Sequence, residues 1–282
     1  MNAFSLSQLI QDELETDQFS QDVTGNLLPS AQNNVVQAFV FNKESGVFSG
    51  VSVLETFQTL FTGQVDFRWE VSEGVEISSG TQIVELTGPR NTLLALERTL
   101  LNFLGLTCGV ASLTRAYLNA VKPHSVQILA TRKTLPGLRA LQLSAVQAGG
   151  GKIHRRSLSD GILIKENHIA LESEVALLQK AHGARSPLHG IEIEVQNFDS
   201  LNNVLSSPYS PDVIMLDNFS AKDVQTAVAL IRQKLPTCRI EASGGVDLQS
   251  VRALAETGID YVSVGKLTHS APVLNLSLDF RL

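Results

Sequence analysis

Apolar residues recur at helical spacing over residues 4–16, where Leu6, Leu9, Ile10 and Leu14 fall on one face. The chain is therefore predicted to open with an amphipathic helix. The pattern then shifts to short β-rich pieces punctuated by glycine: NVVQAFVFN (34–42), GVFSGVSV (46–53), VDFRWEV (65–71), VEISSG (75–80) and QIVELTG (82–88). These predict an antiparallel region with one helix near 51–61. Residues 90–121 form a long helical stretch, and Gly105 and Gly109 are the positions expected to break or tighten it.

From residue 125 the pattern changes again. Short apolar runs occur at 126–130 (VQILA), 161–165 (GILIK), 191–195 (IEIEV), 212–216 (DVIML), 239–242 (RIEA) and 261–264 (YVSV). Helical segments such as 172–182, 221–234 and 248–256 separate most of them. Strands alternating with helices imply a parallel sheet. This many in series favours a closed or nearly closed α/β barrel, with an open doubly wound sheet as the structural alternative. No early GxGxxG opens a helix, which weighs against that alternative.

Composition narrows the picture. The chain has 282 residues, 43% hydrophobic and 18% charged, enough for a large core and against disorder. A net charge of -6 argues against nucleic acid as partner. Cys108 and Cys238 lack metal-ligand spacing and suggest a reducing compartment. The first residues have no signal-peptide pattern, and no uninterrupted apolar run reaches the length of a membrane span. A cytoplasmic protein without a membrane partner is expected.

In an α/β barrel the chemistry lies at the C-terminal ends of the strands. Here those ends carry Thr131-Arg132-Lys133, Lys165, Glu194, Asp217, Ser243-Gly244-Gly245 and Val264-Gly265-Lys266. Charges segregate as well. Arg132, Lys133, Arg139, Lys152, Arg155, Arg156 and Lys165, with His154, fall in a window whose one acid is Asp160. A solvated basic face is the plain explanation. A pocket for carboxylates or phosphates is the functional one, since arginine offers bidentate donors and lysine a point charge. Glu194 and Asp217 then suggest Mg²⁺ between them and a substrate phosphate, held directly or indirectly. Other readings are a ribose hydroxyl contact, support of a cationic transition state, or structural ion pairs. The two glycine loops suit close approach of backbone N–H groups to a phosphate. His168 and His269 lie near strand ends, where ring packing or backbone hydrogen bonding is as good an account as catalysis.

In order along the chain stand GVFSGV (46–51), ERTLLNFL (97–104), TRKTLPGLRAL (131–141), GGGKIHR (149–155), LIKENHI (163–169), IEIEV, IMLDN (214–218), EASGGV (241–246) and SVGKLTHS (263–270). Together they resemble the quinolinate phosphoribosyltransferases, the carboxylating nicotinate-nucleotide pyrophosphorylases, over nearly the whole chain. The resemblance implies an N-terminal α/β sandwich over residues 1–110, to which the tail 271–282 returns, and an incomplete α/β barrel over 111–270. It also implies a Mg²⁺-dependent enzyme of NAD biosynthesis. Such an enzyme joins quinolinate to phosphoribosyl pyrophosphate, giving nicotinate mononucleotide, pyrophosphate and CO₂. Residue by residue, it implies that Arg132, His154, Arg155 and Lys165 bind the dicarboxylate, with Thr131 and Lys133 close by. Arg98 would reach the site from the neighbouring subunit of a homodimer or larger assembly. Lys133, Lys165, Glu194 and Asp217 would carry the chemistry. Ser243, Gly244, Gly245, Val264, Gly265 and Lys266 would hold the 5′-phosphate.

The chain departs from the family pattern at Ala130, Leu143-Ser144, Ile153 and Glu166. The absence of a lysine at 143 is expected to remove a positive charge near the pocket. Some departures are shared with a sister group of pyrophosphorylase-like proteins associated with molybdenum transport. That group, transfer to another anionic ring, and a non-catalytic anion-binding homologue are the alternatives.

Overall fold

The computed structural model describes residues 3–28 and 34–281. In chain order the elements are α1 (Ala3–Thr16), β1 (Val35–Asn42), β2 (Gly46–Val47), α2 (Val51–Leu60), β3 (Asp66–Arg68), β4 (Glu76–Ile77), β5 (Gln82–Pro89), α3 (Arg90–Val121), β6 (Gln127–Ala130), α4 (Arg139–Ala148), β7 (Lys152–Ile153) and β8 (Ile162–Ile164). There follow α5 (Glu166–Ile169), α6 (Glu174–Ala184), β9 (Ile191–Val195), α7 (Phe198–Ser206), β10 (Val213–Asp217), α8 (Ala221–Lys234), β11 (Arg239–Ser243), α9 (Val251–Ala255), β12 (Tyr261–Ser263), α10 (Lys266–His269) and β13 (Leu276–Arg281). The chain forms two compact units. The first holds residues 1–115, 134–150 and 268–282, and the second holds 116–133 and 151–267.

In the first unit a four-stranded antiparallel sheet runs β13-β1-β5-β3, and β2 pairs with β4. The apolar stripe of α1 (Leu6, Ile10, Leu14) joins Leu54 and Phe57 of α2, Val84 and Leu86 of β5 and Leu96, Leu100 and Leu104 of α3 in one core. Each large apolar side chain buried there stabilises the fold by about 1.5–3 kcal/mol. By length and composition α3 is apolar enough to cross a membrane, but 67% of its apolar window is buried within the protein. It is a core helix, and its composition follows from that. Gly105 and Gly109 do not break it. A Cβ at Gly109 would lie 1.9 Å from the Pro272 carbonyl oxygen, and one at Gly105 would lie 2.9 Å from that of Leu274. The missing side chains let the returning tail lie against the helix, and Leu274 N–H donates to the Gly105 carbonyl at 2.9 Å.

The second unit is a parallel sheet in the order β7-β6-β12-β11-β10-β9-β8. Among the described residues β7 and β8, at its two edges, do not pair, so the barrel is incomplete. Three of the helices between strands open on a side-chain cap. Ser173, Asn197 and Ser220 accept N–H bonds from Ala176, Ser200 and Asp223 at the starts of α6, α7 and α8. Such caps contribute about 1 kcal/mol each. The outward faces of the strands are apolar, with Ile193, Ile214, Ile240 and Val262 fully buried. In a strand alternate residues share a face, so Glu192 and Glu194 lie together, opposite Ile191, Ile193 and Val195.

Candidate active site

The strand ends of the second unit bring together most residues expected from the sequence. After β6, Lys133 N–H donates to Thr131 Oγ1 at 3.1 Å, a tight turn that leads off with Arg132 between them. The Nε of Arg132 is buried and has no hydrogen-bond partner among the described residues. Arg155, two residues beyond β7, is held below the ordinary guanidinium range by burial and then by the positive charge of Arg132. Two guanidiniums set this close, one with an orphaned buried donor, form a site whose electrostatics call for an anion.

Beside β7, His154 N–H donates to the Ala130 carbonyl at 3.1 Å. Its Nε2 lies 2.8 Å from Glu192 Oε2 and 3.5 Å from Glu241 Oε2. At the end of β8, Lys165 Nζ lies 2.5 Å from Glu194 Oε2. The Lys165 N–H donates to His168 Nδ1 at 2.9 Å, so His168 has a backbone-capping task. Glu194 is 4% exposed. Burial and the hydrogen bond with Glu166 push its carboxyl up to about 7, against the pull of Lys165, with the charge of Asp217 adding to the rise. Asp217 closes β10 and accepts from Asn218 Nδ2 at 2.7 Å.

The first glycine loop follows β11. Gly244 (φ 91°) and Gly245 (φ 62°) occupy the left-handed region that L side chains avoid. A Cβ at Gly244 would lie 2.2 Å from Asn218 Oδ1. The Asn218 N–H donates to the Ser243 carbonyl at 2.9 Å, tying this loop to the end of β10. In the second loop Val264 N–H donates to the Leu129 carbonyl at 2.9 Å, and exposed Lys266 lies 4.0 Å from Asp247. Gly265 lies between them, at the start of the turn into α10.

Arg98 belongs to α3 in the first unit. Its side chain is 67% exposed, 3.9 Å from Glu97, and it lines a surface cleft of about 500 Å³ with Glu13, Asp17 and Asn102. Leu143 also lies in the first unit, on α4, and is buried at 5% exposure. The position where the family pattern has a lysine is thus an apolar packing position of α4 within the first unit. His269 Nδ1 contacts Ser270 Oγ at 2.5 Å.

Sequence reasoning passed over Glu192 and Glu241. The signal was present: a strand of a parallel barrel, covered on both faces, ordinarily reads as a continuous apolar run. IEIEV and RIEA instead alternate, placing carboxylates inside.

The chain matches the family model for the quinolinate phosphoribosyl transferase C-terminal domain over residues 110–279, and that for the N-terminal domain over residues 22–108. It is 38% identical to the carboxylating nicotinate-nucleotide pyrophosphorylase of Mycobacterium leprae, covering 87% of this chain and 86% of that protein. It is 35% identical to a probable enzyme of the same name in Bacillus subtilis, over 100% of this chain and 96% of the other. The solved nicotinate-nucleotide pyrophosphorylase of Francisella tularensis superposes with a TM-score of 0.90 at 32% identity, covering 100% of this chain and 98% of that one. Matched in both domains and along its length, with the basic strand ends in place, the chain belongs to the quinolinate phosphoribosyl transferase family.

Proposed function

We propose that this chain transfers phosphoribose from phosphoribosyl pyrophosphate to quinolinate with decarboxylation, giving nicotinate mononucleotide, pyrophosphate and CO₂. The observation that carries the reading is the paired guanidiniums of Arg132 and Arg155, with the buried Arg132 Nε lacking a partner. A pyridine dicarboxylate supplies two negative charges for this pair and an acceptor oxygen for the Arg132 Nε, which has no partner among the described residues. The molybdenum-associated alternative is not favoured by the relatives named above, and a non-catalytic homologue is disfavoured by the intact set Arg98, Arg132, Lys165, Glu194 and Asp217.

Arg132, Arg155, His154 and Lys165 hold the acceptor, with Thr131 shaping the turn, and its ring nitrogen attacks the anomeric carbon as the bond to pyrophosphate breaks. Glu194 and Asp217 face the sugar, where carboxylate charge steadies an oxocarbenium-like centre. The ring nitrogen is then cationic and stabilises the carbanion left when the C2–carboxylate bond breaks and CO₂ departs; Lys133 or Lys165 offsets charge during that loss, and a proton from that ammonium group or from water is taken up at the same carbon to give nicotinate mononucleotide. The 5′-phosphate is held by Ser243, Gly244 and Gly245 and by Val264, Gly265 and Lys266.

Mg²⁺ fits the donor set. Glu194 and Asp217 repel one another, and hard oxygen ligands of this kind hold Mg²⁺ together with substrate phosphates. When bound, the ion offsets charge building on pyrophosphate. Arg98, exposed beside its cleft, is assigned to the neighbouring subunit's site in a homodimer or larger assembly. A cytoplasmic location accords with two free, buried cysteines.

The test is a coupled assay of purified protein with quinolinate, phosphoribosyl pyrophosphate and Mg²⁺, following nicotinate mononucleotide and CO₂ together. Equal amounts of both establish the reaction. Binding of phosphoribosyl pyrophosphate without product moves the assignment to another acceptor or to a non-catalytic role.

A further inference from the structure

The roles above leave two buried carboxyl groups inside the barrel without a task. Glu192 on β9 and Glu241 on β11 converge on the His154 ring, at 9% and 1% exposure. Burying carboxylates costs several kcal/mol per ion unless they are well compensated. Apolar residues would fill these positions more favourably, so the cluster calls for a reason beyond packing.

The three side chains offer ligand atoms within 4.8 Å of one another, which raises a metal ion as one explanation. The distances favour a proton. The contact between His154 and Glu192 is 2.8 Å, a hydrogen-bond length. A tetrahedral ion with bonds of about 2.1 Å holds its ligand atoms about 3.4 Å apart.

The charged groups facing the ring are Glu192 from β9, Glu241 from β11 and Arg155 from its own segment. Burial pulls the proton affinity of the ring down. The hydrogen bond and charge of Glu192, with the charge of Glu241, outweigh burial and Arg155 and leave it above the ordinary histidine range. Glu241 responds to the same surroundings: burial, then the charge of Glu192, pushes its carboxyl up to about 8. The ring is therefore held toward its protonated form by two carboxyl groups at its Nε2 edge, at 2.8 Å and 3.5 Å, the farther of which burial holds toward its own protonated form.

The consequence concerns the other ring nitrogen. A neutral imidazole that donates Nε2–H to Glu192 carries a bare acceptor at Nδ1, and an imidazolium carries a donor at both nitrogens. The acceptor substrate is itself a dicarboxylate, which a bare Nδ1 would repel. We propose that Glu192 and Glu241 are positioning residues for acceptor binding, clamping the Nε2 edge of His154 and keeping the ring cationic so that Nδ1–H donates to a carboxylate of quinolinate. This rests on the reading of the pocket given above. The clamp itself exists in the free protein and can be tested there.

Two measurements separate the clamp from the pocket. In ¹⁵N-labelled free protein, with the His154 signal assigned through His154→Gln, the ring of the wild type should titrate above free histidine. Its midpoint should fall by at least about one pH unit in Glu192→Gln. In steady-state kinetics at pH 8, Glu192→Gln should raise KM for quinolinate about tenfold or more and leave KM for phosphoribosyl pyrophosphate unchanged, with the defect shrinking toward pH 6. Glu192→Asp should recover part of the loss. Glu241→Gln, which mimics the protonated carboxyl, should have a smaller effect and serves as the second variant if Glu192→Gln does not fold. An unmoved His154 midpoint, or an equal rise in both KM values, overturns the clamp. A shifted ring in a protein that makes no nicotinate mononucleotide supports the clamp and overturns the acceptor assignment.

Discussion

Replacing Arg132 by leucine should move stability and ligand binding in opposite directions. The side chain's Nε is buried without a partner among the described residues, and a desolvated, unsatisfied donor costs about 1–3 kcal/mol. Arg132 also sets a like charge near Arg155, enough to hold that guanidinium below its ordinary range. Leucine removes both penalties and keeps most of the aliphatic stem, whose packing is the part of an arginine most easily lost. The free protein should therefore gain about 1–2 kcal/mol, toward the lower end of the sum because the smaller side chain leaves a gap. The same change deletes charge-assisted hydrogen bonds to the bound dicarboxylate, each contributing about 1.5–3 kcal/mol. At 1.4 kcal/mol per decade, one such bond corresponds to roughly a 10- to 150-fold loss of quinolinate affinity. Urea denaturation in the absence and presence of quinolinate reads both quantities on one sample. The wild type should be stabilised by quinolinate, and Arg132→Leu should be more stable alone but barely respond to the ligand. A variant that is less stable alone and still stabilised to the wild-type extent would refute the argument, because Arg132 would then be a packing residue.

Further outcomes follow from other positions. Lys165→Ala should lower kcat by about 100-fold or more, because it strips a buried carboxylate of its ion pair and the pocket of a cation; near-normal turnover by purified protein removes Lys165 from the chemistry. Gly109→Ala should destabilise by about 2 kcal/mol in denaturant titration, since overpacking against a carbonyl exceeds the roughly 1 kcal/mol of helix propensity gained. Gly105→Ala should cost less, because its nearest clash is the side chain of exposed Val273; equal costs would contradict the role given to Gly109. Asp260 is held below the ordinary carboxyl range: burial pushes it up, but Arg232, the Ile240 N–H and Arg239 together outweigh that. Its contribution to stability is complete above about pH 4 and is lost as pH falls through the lower folded value. Asp260→Asn should thus be less stable than wild type at pH 7, and the gap should narrow below pH 4 in a series of urea titrations.

How much of this was legible depended on whether an element was long enough to carry a period. β9, β10 and β11 were readable because each has five residues and a charged residue or glycine turn at its end. β7 has two residues and no period, so the strand that leads into His154 was invisible to pattern reading; the histidine was grouped with the basic cluster by sequence position, and its role came only by resemblance. For Gly105 and Gly109 only the helix break, one of the two outcomes expected, fails, and for a different reason. Local propensity treats glycine as a helix breaker, whereas here it answers to a tail more than 160 residues away in sequence. Glu192 was hidden in plain view, because an alternating strand ordinarily signals one wet face, and this one turns its alternate face into the barrel. Leu143 reads in the sequence as a lost charge, and the structure adds what no spacing showed, that it is a buried apolar position of α4 in the first unit.

The assignment of residues 268–282 to the first unit bears on how the protein is made. Synthesis delivers β1 and β5 long before β13, yet β13 is the strand that covers the outer edge of β1. During translation of everything between, the free edge of β1, from Gln37 to Asn42, remains a template for any passing strand. The tail segment 272–274 that covers Gly105 and Gly109 is likewise still unmade, so the exposed stripe of α3 awaits it too. A nascent chain of this design stays adhesive until residues 272–281 emerge, and chaperone occupancy on stalled chains should collapse once β13 has left the ribosome.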